Sequence, residues 1–116
     1  MTATVRLARV ALVAATIFAL VMALTPHPPS LDGIRDKWQH MAAFGTLTAL
    51  SAIAFPKAPL HRIGERLSFL GAMIEVLQSI PALHRDCDIM DWIADTYVIV
   101  AVLIVVRIVR GPASRL

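Results

Sequence analysis

The sequence predicts an all-α integral membrane protein, folded as an antiparallel bundle of four transmembrane helices. Of its 116 residues, 58% are hydrophobic and only 16% are charged. Soluble domains have about 45–50% apolar and about 25% charged residues. A chain of this length forms one domain, here residues 1–116, and its small core cannot bury so much apolar surface. The apolar residues fall into four spans, which short polar linkers separate.

Each apolar span ends at a proline or at basic residues, which marks a helix end. Crossing a bilayer takes about 20 residues, so each helix must include a flanking polar turn. The third span carries Glu75 and Gln78 and needs residues 63–66 to reach that length. With these turns added, the predicted helices cover residues 7–25, 37–55, 63–80 and 91–110. Short linkers between them favour an up-and-down bundle.

The first span also fits a cleaved signal peptide. Arg6 and Arg9 form a positively charged start, and residues 21–23 read Val-Met-Ala, which is compatible with a cleavage site. The apolar stretch is long for a signal peptide, and prolines follow it at once. We therefore expect a retained helix, with cleavage as the alternative.

Charge is divided unevenly between the two ends of the predicted bundle. Both termini and the second linker carry eight basic residues against one acid, Glu65, a net charge of +7. The first and third linkers, with the adjoining helix ends, carry three basic residues against seven acids, a net charge of −4. The positive-inside rule therefore predicts cytoplasmic termini in a bacterial inner membrane, with the first and third linkers outside.

The predicted outward end collects most of the ionisable side chains that lie in or beside the helices. Side chains four or three residues apart share one face of a helix, so three helices each present a polar face. We expect Glu75 to pair with Lys37 or Arg85, and Asp91 to pair with His40 or Arg85. The candidate ligand-binding residues are Asp36, Lys37, His40, Glu75, Gln78, Arg85, Asp88 and Asp91.

Three interpretations of this polar group stay open from the residues alone. The charges can lock helix ends together, form a ligand-binding or catalytic site, or conduct ions. Conduction has the least support, because residues 10–24 of the first span carry no ionisable side chain and no chain of polar residues continues to the cytoplasmic side. Asp95, four residues after Asp91, fits a first-turn acid stabilised by the helix dipole. His40, with Asp88 and Asp91, is a weak metal signal, so we expect neither a metal nor a cofactor.

The single Cys87 excludes an intramolecular disulfide. Nucleic-acid binding has no support beyond the basic net charge. The expected partners are the lipid bilayer, an envelope lipid or glycopeptide ligand, and another membrane protein.

Three short motifs resemble the VanZ-like family. Asp36-Lys37-x-x-His40 is similar to its DKxxH signature, and Glu75-x-x-Gln78 to its ExxQ motif. Arg85-x-x-Asp88-x-x-Asp91 is similar to its third block. The three motifs occur in the family's order and span about half of the chain. The family pattern usually continues with an asparagine and a glycine, where this chain has Asp95 and Val98.

The resemblance implies a small multi-pass bacterial membrane protein of the cell envelope. The family is named for a member that raises resistance to teicoplanin. Two hypotheses follow for this chain. In the first, the outward polar pocket binds or acts on a glycopeptide or lipid-linked headgroup, with His40, Glu75 and Asp91 as candidate catalytic residues. In the second, the chain is a non-enzymatic accessory subunit and the same residues only fix the bundle.

Overall fold

The computed structural model describes residues 1–25, 33–80 and 89–111, and for residues 33–37 it describes the backbone alone. These residues form four α-helices and no strand, which confirms the predicted all-α class. The helices are α1 (Ala3–Leu24), α2 (Gly33–Ala54), α3 (Leu60–Gln78) and α4 (Ile89–Arg110). Their C-termini lie within two residues of the predicted positions, whereas each N-terminus lies two to four residues earlier.

Local signals explain where the helices begin and end. The hydroxyl of Thr2 accepts a hydrogen bond from the backbone N–H of Val5 (3.1 Å) and caps α1. Thr25, which precedes a proline, is extended and stops the helix. Pro59 caps α3 at a position where a missing backbone N–H costs nothing. Gly111 follows α4 with a φ of 82°, the left-handed conformation that favours glycine after a helix.

Contacts between helix ends show an up-and-down bundle. The side chain of Arg9 at the start of α1 reaches the carbonyl oxygen of Ala54 at the end of α2, so these helices are antiparallel. Gln78, at the end of α3, reaches Ala23 near the end of α1, so these two are parallel. Within the bundle, α2 packs mainly against α1 and α4, and α3 packs mainly against α4.

The apolar core lies between all four helices. Ala23, Phe44, Ile74 and Ile99 contribute one buried side chain each from α1, α2, α3 and α4. Gly64 brings α3 close to α4, because a Cβ atom there would lie 2.9 Å from Cδ1 of Leu103. Small residues permit such close approach between helices.

Two helices, α1 and α4, are long and apolar enough to cross a membrane. Each has 22 residues, about 33 Å at 1.5 Å per residue, against a hydrocarbon thickness of about 30 Å. Only 11% of the apolar window of each helix is buried inside the bundle. The outward faces of α1 and α4 therefore expose large apolar side chains, among them Leu7, Val10, Phe18, Ile104, Ile108 and Val109. The helices α2 and α3 contain more polar residues, and neither is apolar enough to count as a candidate membrane span by composition.

Candidate polar site at one end of the bundle

Four of the eight predicted ligand-binding residues have described side chains, and all four are buried. Their exposed fractions are at most 8%, and they come from α2, α3 and α4. Of the other four, Arg85 and Asp88 lie outside the described residues. Asp36 and Lys37 lie in the part of α2 described by its backbone alone. The buried residues are His40, Glu75, Gln78 and Asp91, and with Asp95 we call them the polar cluster.

His40 faces Asp95 across the interface between α2 and α4. Nδ1 of His40 lies 3.7 Å from Oδ2 of Asp95, an ion-pair distance when the imidazole is protonated. Asp95 has an exposed fraction of only 1%. A carboxylate near an imidazole stabilises its protonated form. The histidine and the aspartate thus lie at ion-pair distance inside the bundle, on facing helices.

Asp95 is the residue of this pair that the sequence prediction left outside the candidate site. The prediction paired Asp91 with His40 or Arg85 and assigned Asp95 no partner, whereas the described ion pair of His40 involves Asp95. Asp91 is buried one turn earlier on the same face of α4. The spacing of four residues placed Asp91 and Asp95 on one face of α4. That spacing alone could not show whether this face packs against α2.

Glu75 lies level with Asp91 on the neighbouring helix. Ser68 and Thr96 join α3 to α4 through their hydroxyl groups, 2.9 Å apart. A Cβ atom on Gly71, one turn further along α3, would lie 3.6 Å from Oδ2 of Asp95. Continuing this antiparallel register by one more turn brings Glu75 opposite Asp91. Two buried carboxyl groups therefore occupy the same end of the α3–α4 interface.

A further polar contact joins α3 and α4, closer to the start of α3 than Glu75. The indole Nε1 of Trp92 donates to the carbonyl oxygen of Ser68 at 2.9 Å. A Cβ atom at Gly71 would lie 3.4 Å from Cδ1 of Trp92. The glycine lets the indole lie against α3 and keeps α3 near Asp95. These residues support the position of the polar cluster without belonging to it.

Gln78 ties the polar cluster to α1. Its Nε2 donates to the carbonyl oxygen of Ala23 at 2.8 Å, and the residue is 2% exposed. That carbonyl lies in the last turn of α1, where backbone acceptors lack a partner within the helix. The Oε1 atom of Gln78 accepts no hydrogen bond from the described part of the chain. The amide of Gln78 thus provides a donor for the last turn of α1.

All four helices meet at the level of the polar cluster. The antiparallel contact of Arg9 with Ala54 sets a register between α1 and α2 that places Ala23 level with His40. Charged side chains at membrane depth cost about 2.5–3.5 kcal/mol each at a helix centre on insertion scales, and they normally face the interior of a bundle. Among the described residues, no three of His, Cys, Asp and Glu are placed to hold a metal ion.

The opposite end of the bundle is basic and uses arginines to complete α2. Arg9 donates through Nε to the carbonyl oxygen of Ala54 at 2.9 Å, and Arg110 donates to that of Ala52 at 2.6 Å. The Arg9 guanidinium also lies over the ring of Phe55, 4.5 Å from its centroid. Cationic side chains favour the negative end of a helix dipole. The two ends thus differ in chemistry, one rich in acids and the other in arginine.

A half-open groove runs between α1 and α2 and reaches the polar cluster. Its volume is about 640 Å³. The lining is mostly apolar, with Ala15 and Ala19 from α1 and Ala43 from α2. Gln39 and His40 line its polar end. This groove had no counterpart in the predictions from sequence.

No protein-family model matches this chain, and its comparison with curated proteins and with solved structures gives no significant match.

Proposed function

We propose that this chain is a multi-pass protein of the bacterial inner membrane, of the VanZ-like type, whose polar cluster binds the headgroup of a cell-envelope ligand. The observation that carries the proposal is the buried pair of His40 and Asp95, with Glu75 and Asp91 one turn away. Buried ionisable groups are expensive in a membrane protein and are usually retained for function.

The placement in a membrane is supported by the exposed apolar faces of α1 and α4. In water, exposed apolar patches of this extent cause association, whereas in a bilayer they contact acyl chains. In this proposal α2 and α3 also cross the bilayer, with their polar residues turned toward each other. The basic end faces the cytoplasm and the polar cluster faces outward, as the positive-inside rule requires.

In the site itself, the imidazole beside Asp95 is suited to exchange a proton with a bound group. Glu75 and Asp91 supply acceptors for hydroxyl or amine donors of the headgroup. Lys37 and Arg85 are proposed to contact its anionic groups, as the family motifs imply. Glycopeptide resistance is one envelope property that such binding would alter.

A structural role is the second candidate, and one observation favours it. The hydrogen bond from Gln78 to Ala23 joins two helices and satisfies a backbone acceptor. In this account the polar cluster only locks the bundle, and the chain acts as an accessory subunit. Truncating a buried polar group costs stability in both accounts, so stability alone does not distinguish them.

The test uses Glu75→Gln, which replaces the carboxyl group by an amide of the same shape, and measures both protein stability and an envelope phenotype. The matched control is Glu65→Gln, on the exposed surface of the same helix. Thermal unfolding in detergent and susceptibility to teicoplanin are measured for both variants. Loss of phenotype by Glu75→Gln at unchanged stability supports the ligand site. Parallel loss of both supports the structural role.

Two further variants repeat this comparison on the other helices. His40→Ala is compared with His61→Ala, since His61 is exposed near the basic end. Asp91→Asn tests α4 with a change that retains hydrogen bonding. If all three site variants keep the phenotype of the parent protein, the polar cluster is not a ligand site.

A further inference from the structure

The groove between α1 and α2 owes its width to small side chains. Ala15, Ala19 and Ala23 follow one another at intervals of four along α1 and so line one face of that helix. Ala42 and Ala43 line the facing side. The groove follows α1 from Ala15 to Thr25, about 15 Å at 1.5 Å per residue. Its volume of about 640 Å³ lies in the range of small-molecule sites, about 300–1,000 Å³.

The groove has a polar end and an apolar remainder. His40 and Gln39 lie at the polar end, level with the last turn of α1. Away from that end, the lining side chains are apolar (alanine, phenylalanine, methionine, leucine and isoleucine), apart from Thr46, whose hydroxyl donates to the carbonyl oxygen of Ala42 at 2.8 Å. An occupant that matches this pattern has one polar end and a long apolar part.

The side of the groove is open, and exposed apolar residues flank the opening. Phe18 and Met22 line it and are largely exposed. With α1 placed in a bilayer, this opening faces the acyl chains of surrounding lipids. An amphiphile can then enter sideways without passing through water.

We infer that the α1–α2 groove binds an acyl chain of a membrane phospholipid, with the headgroup against His40 at the polar cluster. The inference rests on the proposed function and names its ligand class, a lipid rather than a soluble glycopeptide. In this inference α1, which is mostly apolar, contributes one wall of the ligand site. Filling the groove from α1 should displace the lipid without altering the polar cluster.

The test uses the full chain reconstituted in vesicles of phosphatidylethanolamine and phosphatidylglycerol. A trace of phosphatidylglycerol carries a photoactivatable diazirine at the middle of one acyl chain. After irradiation, mass spectrometry locates the cross-linked lipid. We expect the yield per residue over 15–25 and 39–47 to exceed that on the exposed face of α4, residues 104–109, at least fivefold.

Two variants fill the groove from opposite sides. Ala19→Trp and Ala43→Leu should each lower labelling of the groove at least fivefold. Ala14→Trp, on the exposed face of α1, is the matched control and should leave it unchanged. Each variant is compared only when its thermal midpoint matches that of the parent. Two filling variants are used so that failure of one to fold still leaves a test.

Three outcomes would overturn the inference. These are equal labelling of the groove and of α4, labelling that neither filling variant lowers, and cross-links between the groove and another polypeptide. If labelling fails while Glu75→Gln still abolishes the phenotype, the lipid assignment is wrong and the proposed function stands. If labelling is as expected while Glu75→Gln behaves like Glu65→Gln, the lipid site stands and the proposed function fails.

Discussion

His40 and Asp95 face each other between α2 and α4, with Nδ1 and Oδ2 3.7 Å apart and both side chains buried. The contact joins two parallel helices that are not neighbours in sequence. It also gives the polar cluster a group that can carry a proton and a carboxylate beside it.

We expect the His40–Asp95 pair to be energetically coupled. Asp95→Ala removes the carboxylate that lies nearest the imidazole, and the loss of a buried polar partner costs about 1–3 kcal/mol. Asp95→Asn should cost less because the amide keeps the shape of the side chain and leaves a polar group beside the ring. A double-mutant cycle with His40→Ala and Asp95→Ala, read from unfolding in detergent, should give a coupling of about 1 kcal/mol or more. Strict additivity of the two single changes would contradict the contact.

The bond from Gln78 to Ala23 should contribute measurably to stability. Gln78→Leu keeps much of the volume but leaves the carbonyl oxygen of Ala23 buried without its donor, at a cost of about 1–3 kcal/mol. The control is Gln39→Leu, because Gln39 is an exposed glutamine on α2. Unfolding in detergent measures both variants. Equal effects of the two substitutions would show that the bond adds nothing.

Arg9 should stabilise the end of α2 more than its neighbour Arg6 does. Arg9→Ala removes a hydrogen bond to Ala54 and a cation–π contact with Phe55, which together contribute about 1–2 kcal/mol. Arg6 is exposed on the same helix, so Arg6→Ala is the matched control and should change stability by less than about 0.5 kcal/mol. Thermal unfolding compares them. A larger effect at Arg6 would refute this assignment.

Two glycines should respond differently to added side chains. A Cβ atom at Gly64 meets Leu103 at 2.9 Å, whereas one at Gly45 meets Val98 at an ordinary 3.7 Å. Gly64→Val should destabilise the bundle by about 1–3 kcal/mol through overpacking. Gly45→Ala should be neutral or stabilising, by up to about 1 kcal/mol, because alanine favours helix. If Gly45→Ala destabilised the bundle more than Gly64→Val, α3 and α4 would be further apart at Gly64 than a 2.9 Å contact with Leu103 implies.

The helix ends were predictable where proline marks them and less so where it does not. Pro26, Pro56 and Pro81 follow the first three helices, and the predicted C-termini lie close to those observed. The N-termini were predicted too late because they were located from the apolar spans. Backbone hydrogen bonds continue through polar residues such as those that begin α2. Hydrophobicity therefore marks what a helix buries or exposes rather than where it starts.

The candidate site was only partly predictable for a related reason. The spacing of Glu75 and Gln78 predicted a shared face of α3, and both residues are buried. Sequence spacing does not show which helices are neighbours, so the contact of Asp95 with His40 was missed. The acceptor for Gln78 is the backbone carbonyl of Ala23, which no side-chain pattern signals. The groove depends on the distance between α1 and α2, which spacing along one helix cannot give.

The central claim is that the chain crosses the bilayer with its polar end outside, and labelling of cysteine from outside tests it most directly. Cys87 lies in the linker between α3 and α4 and is the single cysteine of the chain. A control variant, Lys57→Cys with Cys87→Ser, moves the thiol to the linker between α2 and α3. With a membrane-impermeant maleimide, intact spheroplasts should label Cys87 in the parent, and the control should be labelled only after lysis. Protection of Cys87 until lysis, or labelling of both proteins before it, would contradict the account.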